Sequence, residues 1–250
     1  MTHLTRPAIV GTITKNVSEN ARGGKEDGAD ILELRFDLLL ANTPHFEKYL
    51  NRDFEETAFI EQLKSWINEA KETGLPIIGT LRSKEEGGAF EGSESERFGV
   101  IRKIISDVDF IDIERKSSKK EIFECKKIAE KGDTKIILSS HYFNEKDMPS
   151  VKKIGKVLKK SFEKGADIAK VAFMPASKND VLKLYEASLK CKTPEKICLI
   201  AMGELGKQTR ILAPFYGSIL SYGFIDEEAA PGQLPIRKIR EGFRLLGLLK

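Results

Sequence analysis

The sequence predicts an α/β protein of one domain, a (β/α)8 barrel of the TIM type running over residues 1–250. Three observations lead there. Short apolar, β-branched runs alternate with amphipathic helical stretches about eight times, the pattern of parallel βα units. A chain of 250 residues has the length that such a barrel needs. The turn after the first run, Thr12 to Asn16, lacks the glycine-rich phosphate turn that the competing architecture, a doubly wound open sheet, normally carries.

Residues 8–14 form the first strand, and Asn16 or Ser18 caps a helix that ends near Gly28. Residues 31–36 form the second strand. A loop through Asn42 and Pro44 leads to a long helix from about Asp53 to Thr73, in which Phe59, Leu63, Trp66, Ile67 and Ala70 fall at helical spacing and after which Gly74 stops the helix. The third strand covers 76–82, and the polar, glycine-rich residues 83–96 read as a mobile loop or small hairpin. A helix over 94–106 precedes the fourth strand at 109–114, and another helix ends at Gly132 before the fifth strand at 135–140. The basic stretch 146–164 is a helix whose lysines form its wet face. The sixth strand lies within 165–175, followed by a helix over 178–189, a strand over 195–202, a short helical piece over 205–212, an eighth strand at about 217–222 and a last helix over 236–249. An internal echo supports the repeat: EDGADI at 26–31 returns as EKGADI at 163–168 and more loosely as KGDTKI at 131–136, each time with glycine ending a helix before a strand.

Composition narrows the function. Hydrophobic content of 40% and charged content of 32% are those of an ordinary water-soluble globular chain. Forty-two basic against 38 acidic residues give +4, which suits small anions and is too weak a field to argue for nucleic acid. The apolar runs are too short for a membrane span, and the N-terminus has no secretory h-region. Cys125, Cys191 and Cys198 are an odd number without metal spacing, which suits a reducing cytoplasm, and His3, His45 and His141 sit in no ligand motif, so no metal is expected.

The chemistry gathers at one end of the strands. Side chains alternate along a barrel strand, and a barrel's site is built at the strands' C-terminal ends. Glu33, Arg35 and Asp37 share one face of the second strand, Arg82 ends the third, Asp112 and Glu114 share a face of the fourth, His141 follows the fifth, and Lys170 is in phase with Ile168 and Ala172 on the sixth. A structural barrel core would hold Val, Ile and Leu there. Lys170 by itself has two readings, a solvated lysine on an edge strand or a buried amine. Burial disfavours the charged form, and an uncharged amine is what attacks a carbonyl to form a Schiff base. His141 has the titration range for accepting and donating a proton. Arg35, Arg82 and Arg210 suit a carboxylate and would help to keep Lys170 neutral, while Glu33, Asp112 and Glu114 balance those cations.

Seven segments then carry a resemblance over nearly the whole chain: ELRFD (33–37), TLRSKEEGG (80–88), IDIE (111–114), SSHYF (139–143), DIAKVAFMP (167–175), AMGELGKQTR (201–210) and APGQ (230–233). In this order and on these strands the chain resembles the type I 3-dehydroquinate dehydratases, the Schiff-base-forming class. The resemblance implies a cytoplasmic enzyme of aromatic amino acid biosynthesis that needs no cofactor and dehydrates the anion 3-dehydroquinate, and it suggests a homodimer. It implies that Lys170 forms the imine and that His141 moves the proton. Arg210 would hold the substrate carboxylate; Glu33, Arg35, Arg82 and Gln233 would contact ring hydroxyls or shape the pocket; Glu86 would lie near the leaving hydroxyl; Glu114 would orient His141. Loops 83–96 and 223–235 would close over the substrate. Three positions depart from the pattern. Gly11 and Ala229 stand where serines that would contact substrate are common, and Tyr222 stands where Phe is common. A class I aldolase on the same barrel, and a metabolite-binding barrel without activity, are the alternative readings.

Overall fold

The computed structural model describes residues 7–43, 56–144, 147–192 and 196–249. Eight strands form one parallel sheet: β1 (Ala8–Ile13), β2 (Ile31–Arg35), β3 (Ile77–Thr80), β4 (Phe110–Glu114), β5 (Lys135–Tyr142), β6 (Ile168–Phe173), β7 (Ile197–Ala201) and β8 (Leu220–Phe224). From β1 to β7 each strand pairs with its sequence neighbours, and β8 returns to pair with β1 from Ala8↔Leu220 to Thr12↔Phe224. The order β7-β6-β5-β4-β3-β2-β1-β8 leaves one seam, between β7 and β8. There the Ile219 N–H donates to the Ile197 carbonyl at 2.8 Å, and the Ser218 hydroxyl accepts the Leu199 N–H at 3.1 Å while donating to the Leu220 carbonyl at 3.1 Å. The sheet is thus a nearly closed (β/α)8 barrel.

The helices that follow the strands include α1 (Val17–Glu26), α2 (Phe36–Ala41), α3 (Glu56–Lys71), α4 (Glu94–Ile104), α5 (Lys119–Gly132), α6 (Val151–Glu163), α7 (Lys178–Leu189), the short α8 (Gly203–Gly206) and α9 (Thr209–Leu212), and α10 (Ile236–Leu245). Serine caps start several of them. Ser93, Ser118, Ser150 and Ser177 each accept a backbone N–H three residues on, and Ser93 with Glu96 and Ser177 with Asp180 complete capping boxes. Among the described residues no helix is long and apolar enough to cross a membrane.

The echo in the sequence has a structural cause. Gly28 and Gly165 both take positive φ, +91° and +92°, where a Cβ would be strained, and turn the chain out of a helix. The aspartate two residues later then caps the neighbouring strand: Asp30 accepts the Ile9 N–H and Asp167 the Ile136 N–H, each at 2.9 Å. Asp109 does the same for Ile77 at 2.8 Å. In the looser copy the left-handed residue is Asp133, φ 57°, rather than Gly132.

Several boundaries differ from the sequence reading. β2 stops at Arg35, and Phe36 begins a helical turn where a loop was expected, so Asp37 leaves the strand. β5 runs on through His141 and Tyr142, because β6 continues the ladder with His141↔Ala172 and Tyr142↔Phe173. β8 begins three residues later than expected, since Ala213–Tyr216 forms a 3-10 turn closed by Gly217 at φ +105°. The basic helix starts at Val151 and the last helix ends at Leu245. Pro44, the expected start at Asp53, Lys146, Glu195, His3 and His45 lie outside the described residues.

Inside the barrel, inward positions form two storeys. The lower one is apolar: Ala8, Val10, Ile31, Ile78, Phe110, Ile137, Ile168, Cys198 and Leu220 form one buried cluster. Two residues further along, the inward positions become Thr12, Glu33, Thr80, Asp112, Ser139, Lys170 and Tyr222, all buried, while β7 stays apolar with Ile200. The outward faces, such as Ala169, Val171 and Phe173 of β6, pack under the helices. One hydroxyl, that of Ser218, joins the two edges of the seam beside the Ile219–Ile197 backbone bond. Ser218→Ala leaves the buried Leu199 N–H without its acceptor and is expected to lower unfolding free energy by about 1–3 kcal/mol, read from urea denaturation. An unchanged midpoint would mean that the seam closes without it.

Candidate active site

The upper storey is an ionic network. Lys170 is 5% exposed, and its Nζ lies 3.0 Å from Asp112 Oδ2 and 3.9 Å from the centre of the Tyr222 ring. Asp112, 1% exposed, turns its other oxygen to Arg82 Nη2 at 2.8 Å and takes the Ser139 hydroxyl at 2.6 Å. Arg82 Nη1 donates to Ser139 Oγ at 2.8 Å and reaches Glu114 Oε1 at 3.3 Å. Burial alone would raise the pKa of Asp112, but Arg82 and Lys170 outweigh it and hold the carboxyl well below the usual range. Burial likewise works against the Arg82 charge, and Asp112, Glu114 and Glu86 more than offset it.

His141 sits at the edge of this network. Its Nδ1 is 2.9 Å from Glu86 Oε2, and its backbone N–H donates to the same oxygen at 3.2 Å. Burial, with Arg82 and Lys170 nearby, holds the imidazole well below its ordinary pKa, so it is neutral at neutral pH. Burial pushes Glu86 up to about 7 against the pull of Arg82, with Glu114 pushing the same way. Glu86 is aimed by a 3-10 turn, Lys84–Glu86, that ends at Gly87, φ +80°. A Cβ at Gly87 would lie 2.3 Å from the Phe143 ring, and one at Gly88 would lie 2.1 Å from the Arg82 carbonyl, so this turn admits only glycine at both places.

The other side of the pocket is less saturated. Glu33 accepts the Thr12 and Thr80 hydroxyls at 3.2 and 2.9 Å. Gln233 donates to Thr12 Oγ1 at 3.2 Å and is held by the Ala229 and Ala230 N–H groups. Arg35 is gripped by Asp37 at 3.0 and 2.7 Å. Arg210 is 3% exposed, and its Nε and Nη2 have no partner among the described residues. Burial lowers its pKa to about 10, still charged at neutral pH. Together Glu33, Arg35, Arg82, His141, Lys170, Arg210 and Gln233 line one pocket of about 50 Å3, with Ala230 and Met202 also in its wall. That volume holds a water or two. A larger open basin of about 470 Å3 lies on the far side of Glu86 and Glu114, with Lys84, Lys116 and Arg97 in its wall, and contains neither Lys170 nor His141.

A buried lysine, a neutral histidine and an arginine with two unpartnered N–H groups in one pocket have the chemistry to receive a carbonyl compound that carries an anionic group. Comparison with known proteins agrees with this chemistry. The model of the family described as type I 3-dehydroquinase matches residues 8–250. The chain belongs to this family. It is 40% identical over 248 residues to the 3-dehydroquinate dehydratase of Methanosarcina mazei, covering 96% of this chain and 95% of that one. Among solved structures it is similar to the 3-dehydroquinate dehydratase of Geobacillus kaustophilus, with a TM-score of 0.83, 26% identity and coverage of 97% and 92%. It is also similar to the type I enzyme of Clostridium difficile, solved with covalently modified comenic acid, with a TM-score of 0.82, 29% identity and coverage of 96% and 92%. As a type I 3-dehydroquinase it is a lyase, with the activity of a 3-dehydroquinate dehydratase in the shikimate pathway.

The structure of this type I 3-dehydroquinase places most of the expected site residues together and rearranges two. Lys170 is not a solvated edge lysine, because β6 is flanked by β5 and β7 and Nζ points into the barrel. Glu114, expected to orient His141, instead accepts Arg97 Nη2 at 2.6 Å and the Ser83 N–H at 2.9 Å, besides Arg82. Glu86, expected near the leaving hydroxyl, is the group on His141 Nδ1. Sequence did not separate the two carboxylates, since Glu86 follows β3 and Glu114 ends β4, both beside Arg82. Gly11 also departs from expectation: a Cβ there would meet Ile225 at 3.0 Å and Ala29 at 3.3 Å, outside the barrel, so a serine at this position would face the helices rather than the pocket. The sequence reading missed Ser139, which bridges Asp112 and Arg82. Its inward phase with His141 was the available signal. It missed Arg97 too, a buried helix residue paired with Glu114.

The histidine–glutamate pair sets a pH dependence. With Glu86 ionised, Nδ1–H donates to it and Nε2 is left bare to take a proton. The groups facing the pair are Arg82, Lys170, Glu114 and Lys116. As pH falls through about 7, Glu86 gains a proton and this arrangement is lost. kcat/KM is therefore expected to fall on the acid side with an apparent pKa near 7. Glu86→Gln should abolish that limb and lower the plateau at least tenfold, on the order of a positioned base's contribution. A limb that persists in Glu86→Gln belongs to another group.

Proposed function

We propose that this chain converts 3-dehydroquinate to 3-dehydroshikimate through a Schiff base on Lys170. The observation that carries the reading is the meeting, in one buried pocket, of the Lys170 amine, the neutral His141 imidazole and the unpartnered Arg210 guanidinium. The covalently modified comenic acid in the Clostridium difficile relative is in keeping with it.

In this reading Arg210 takes the substrate carboxylate, satisfying the two N–H groups that lack partners. Glu33, Arg35, Arg82 and Gln233 contact the ring hydroxyls. The Lys170 nitrogen adds to the C3 ketone, and loss of the carbonyl oxygen as water gives the imine. Protonated, the imine draws electrons from the adjacent C–H bond, so the C2 proton becomes acidic. Asp112, 3.0 Å from Nζ, supplies the negative charge beside that iminium. His141 removes the C2 proton through Nε2, and the electron pair expels the C1 hydroxyl, which leaves as water with a proton from the same imidazole. Water then hydrolyses the conjugated imine, releasing product and restoring the amine. A pocket of about 50 Å3 is too small for a substituted six-membered ring, so residues 83–96 and 223–235 open to admit substrate and close to exclude water.

The same reading places the enzyme in the cytoplasm, where an odd number of cysteines is at home. It also makes it a homodimer. Leu182 and Leu189 lie on one face of α7, exposed beside the exposed Phe215, and a second copy would cover them. Sedimentation equilibrium should give twice the chain mass of 28.0 kDa, and a monomer at micromolar concentration would sink the assembly. The chemistry is tested by borohydride. Reduction during turnover should add substrate mass to Lys170 and inactivate the enzyme, and Lys170→Ala should take up none. Turnover that continues with unmodified protein would remove the imine.

A further inference from the structure

Arg210 is not the only unsatisfied group in the pocket. The Tyr222 hydroxyl is buried and has no partner among the described residues. Tyr222 is the upper inward residue of β8, two along from Leu220 in the apolar storey, so its ring points into the barrel, and its backbone is fixed by the ladder at Val10↔Tyr222. The ring face already has a task, since Lys170 Nζ stands 3.9 Å over its centre. A phenylalanine would serve for that. The hydroxyl adds a donor in a dry place where an unmade hydrogen bond is costly, and native chains rarely keep such a group without a partner.

The position of the hydroxyl indicates what the partner is. Tyr222 lies within electrostatic reach of Arg210 and Glu33. Glu33 is occupied by Thr12 and Thr80, and does not take the phenol. Arg210 offers two further donors without acceptors on the same side. The two residues are held in fixed relation, because the outward hydroxyl of Ser221, next to Tyr222, donates to the Arg210 carbonyl. Tyr222 of β8 and Arg210 of α9 therefore line one pocket in which, among the described residues, neither the phenol nor Nε and Nη2 has an acceptor.

We propose that Tyr222 is a further substrate-binding residue, its phenol O–H donating to the substrate carboxylate beside Nε and Nη2 of Arg210. A carboxylate has lone pairs for all three donors. The two faces of Tyr222 then divide the work, the ring holding the lysine nitrogen and the hydroxyl holding the acid group of the molecule bound to it. The inference rests on the dehydratase reading, and extends it to a residue outside the expected binding set.

The test is Tyr222→Phe, which keeps the ring and removes only the hydroxyl. KM should rise about 10-fold with kcat changed less than about threefold, as for loss of one hydrogen bond to a charged group. The Tm of the unliganded protein should stay level or rise, since a buried unpaired donor is gone. An unchanged KM overturns the proposal. So does a fall in Tm of several degrees, which would mean that the hydroxyl serves the fold. Borohydride trapping on the wild type separates the two readings. If no adduct forms on wild type, the Schiff-base reading fails and this inference falls with it. If the adduct forms and Tyr222→Phe leaves KM unchanged, only the inference fails.

Discussion

Asp112 is the residue on which the site depends. One carboxylate, almost wholly buried, faces Lys170 with one oxygen and Arg82 and Ser139 with the other. Each of these cations would be costly inside a barrel without an opposite charge. Asp112 compensates both, and Glu114 continues the chain outward to Arg97 and the Ser83 N–H. The network thereby links β4, β5, β6 and the turn after β3. Removing one member leaves a buried charge unpaired, which in such networks costs about 3–5 kcal/mol. That constraint fixes the lysine's position, and it leaves a negative charge where a cationic imine would form.

The barrel can hold such a network because its interior is layered. The lower storey, from Ala8 and Ile31 round to Cys198 and Leu220, supplies apolar burial. The upper storey, two residues further along, carries ionisable groups on β2, β4 and β6 and hydroxyl-bearing ones on β1, β3, β5 and β8, and stays apolar on β7 at Ile200. The alternation that makes a strand hydrophobic on both faces below makes it reactive above. Outward residues at the same level, such as Gly11 and Val171, still belong to the sheet–helix packing. This is why a serine at position 11 would have no bearing on substrate, although it lies beside Thr12, which does face the pocket.

Electrostatic saturation divides the pocket into two parts. On the β3–β6 side Lys170, Asp112, Arg82, Glu114 and Arg97 match one another's charges, and Glu86 alone keeps a buried oxygen, Oε1, without a hydrogen-bond partner among the described residues. On the β7–β8 side Arg210 and Tyr222 have donors to spare. Asymmetry of this kind suits a site that must hold its own catalytic groups still and yet bind an anion. The neutral imidazole stands at the boundary, tied to Glu86, which burial keeps near 7 and so within reach of both protonation states.

Much of this was legible in the sequence. The alternation of runs determined eight βα units, and the phase of Glu33, Arg35, Asp112 and Lys170 along their strands, with His141 directly after the fifth, determined that they gather at one end. Those are properties of local periodicity, which a chain writes directly. Pairing was decided only in three dimensions. That Glu86 rather than Glu114 meets His141, that Ser139 joins Asp112 to Arg82, and that Arg97 pairs with Glu114 all depend on how β4, β5 and the turn after β3 approach one another. The same holds for Gly11 and for the late start of β8, where the ladder to β1 sets the register. Strand phase is set within a few residues and survives in the sequence. The choice among several carboxylates for one histidine is set by distances of a few ångströms between segments remote along the chain, and only the folded barrel fixes those.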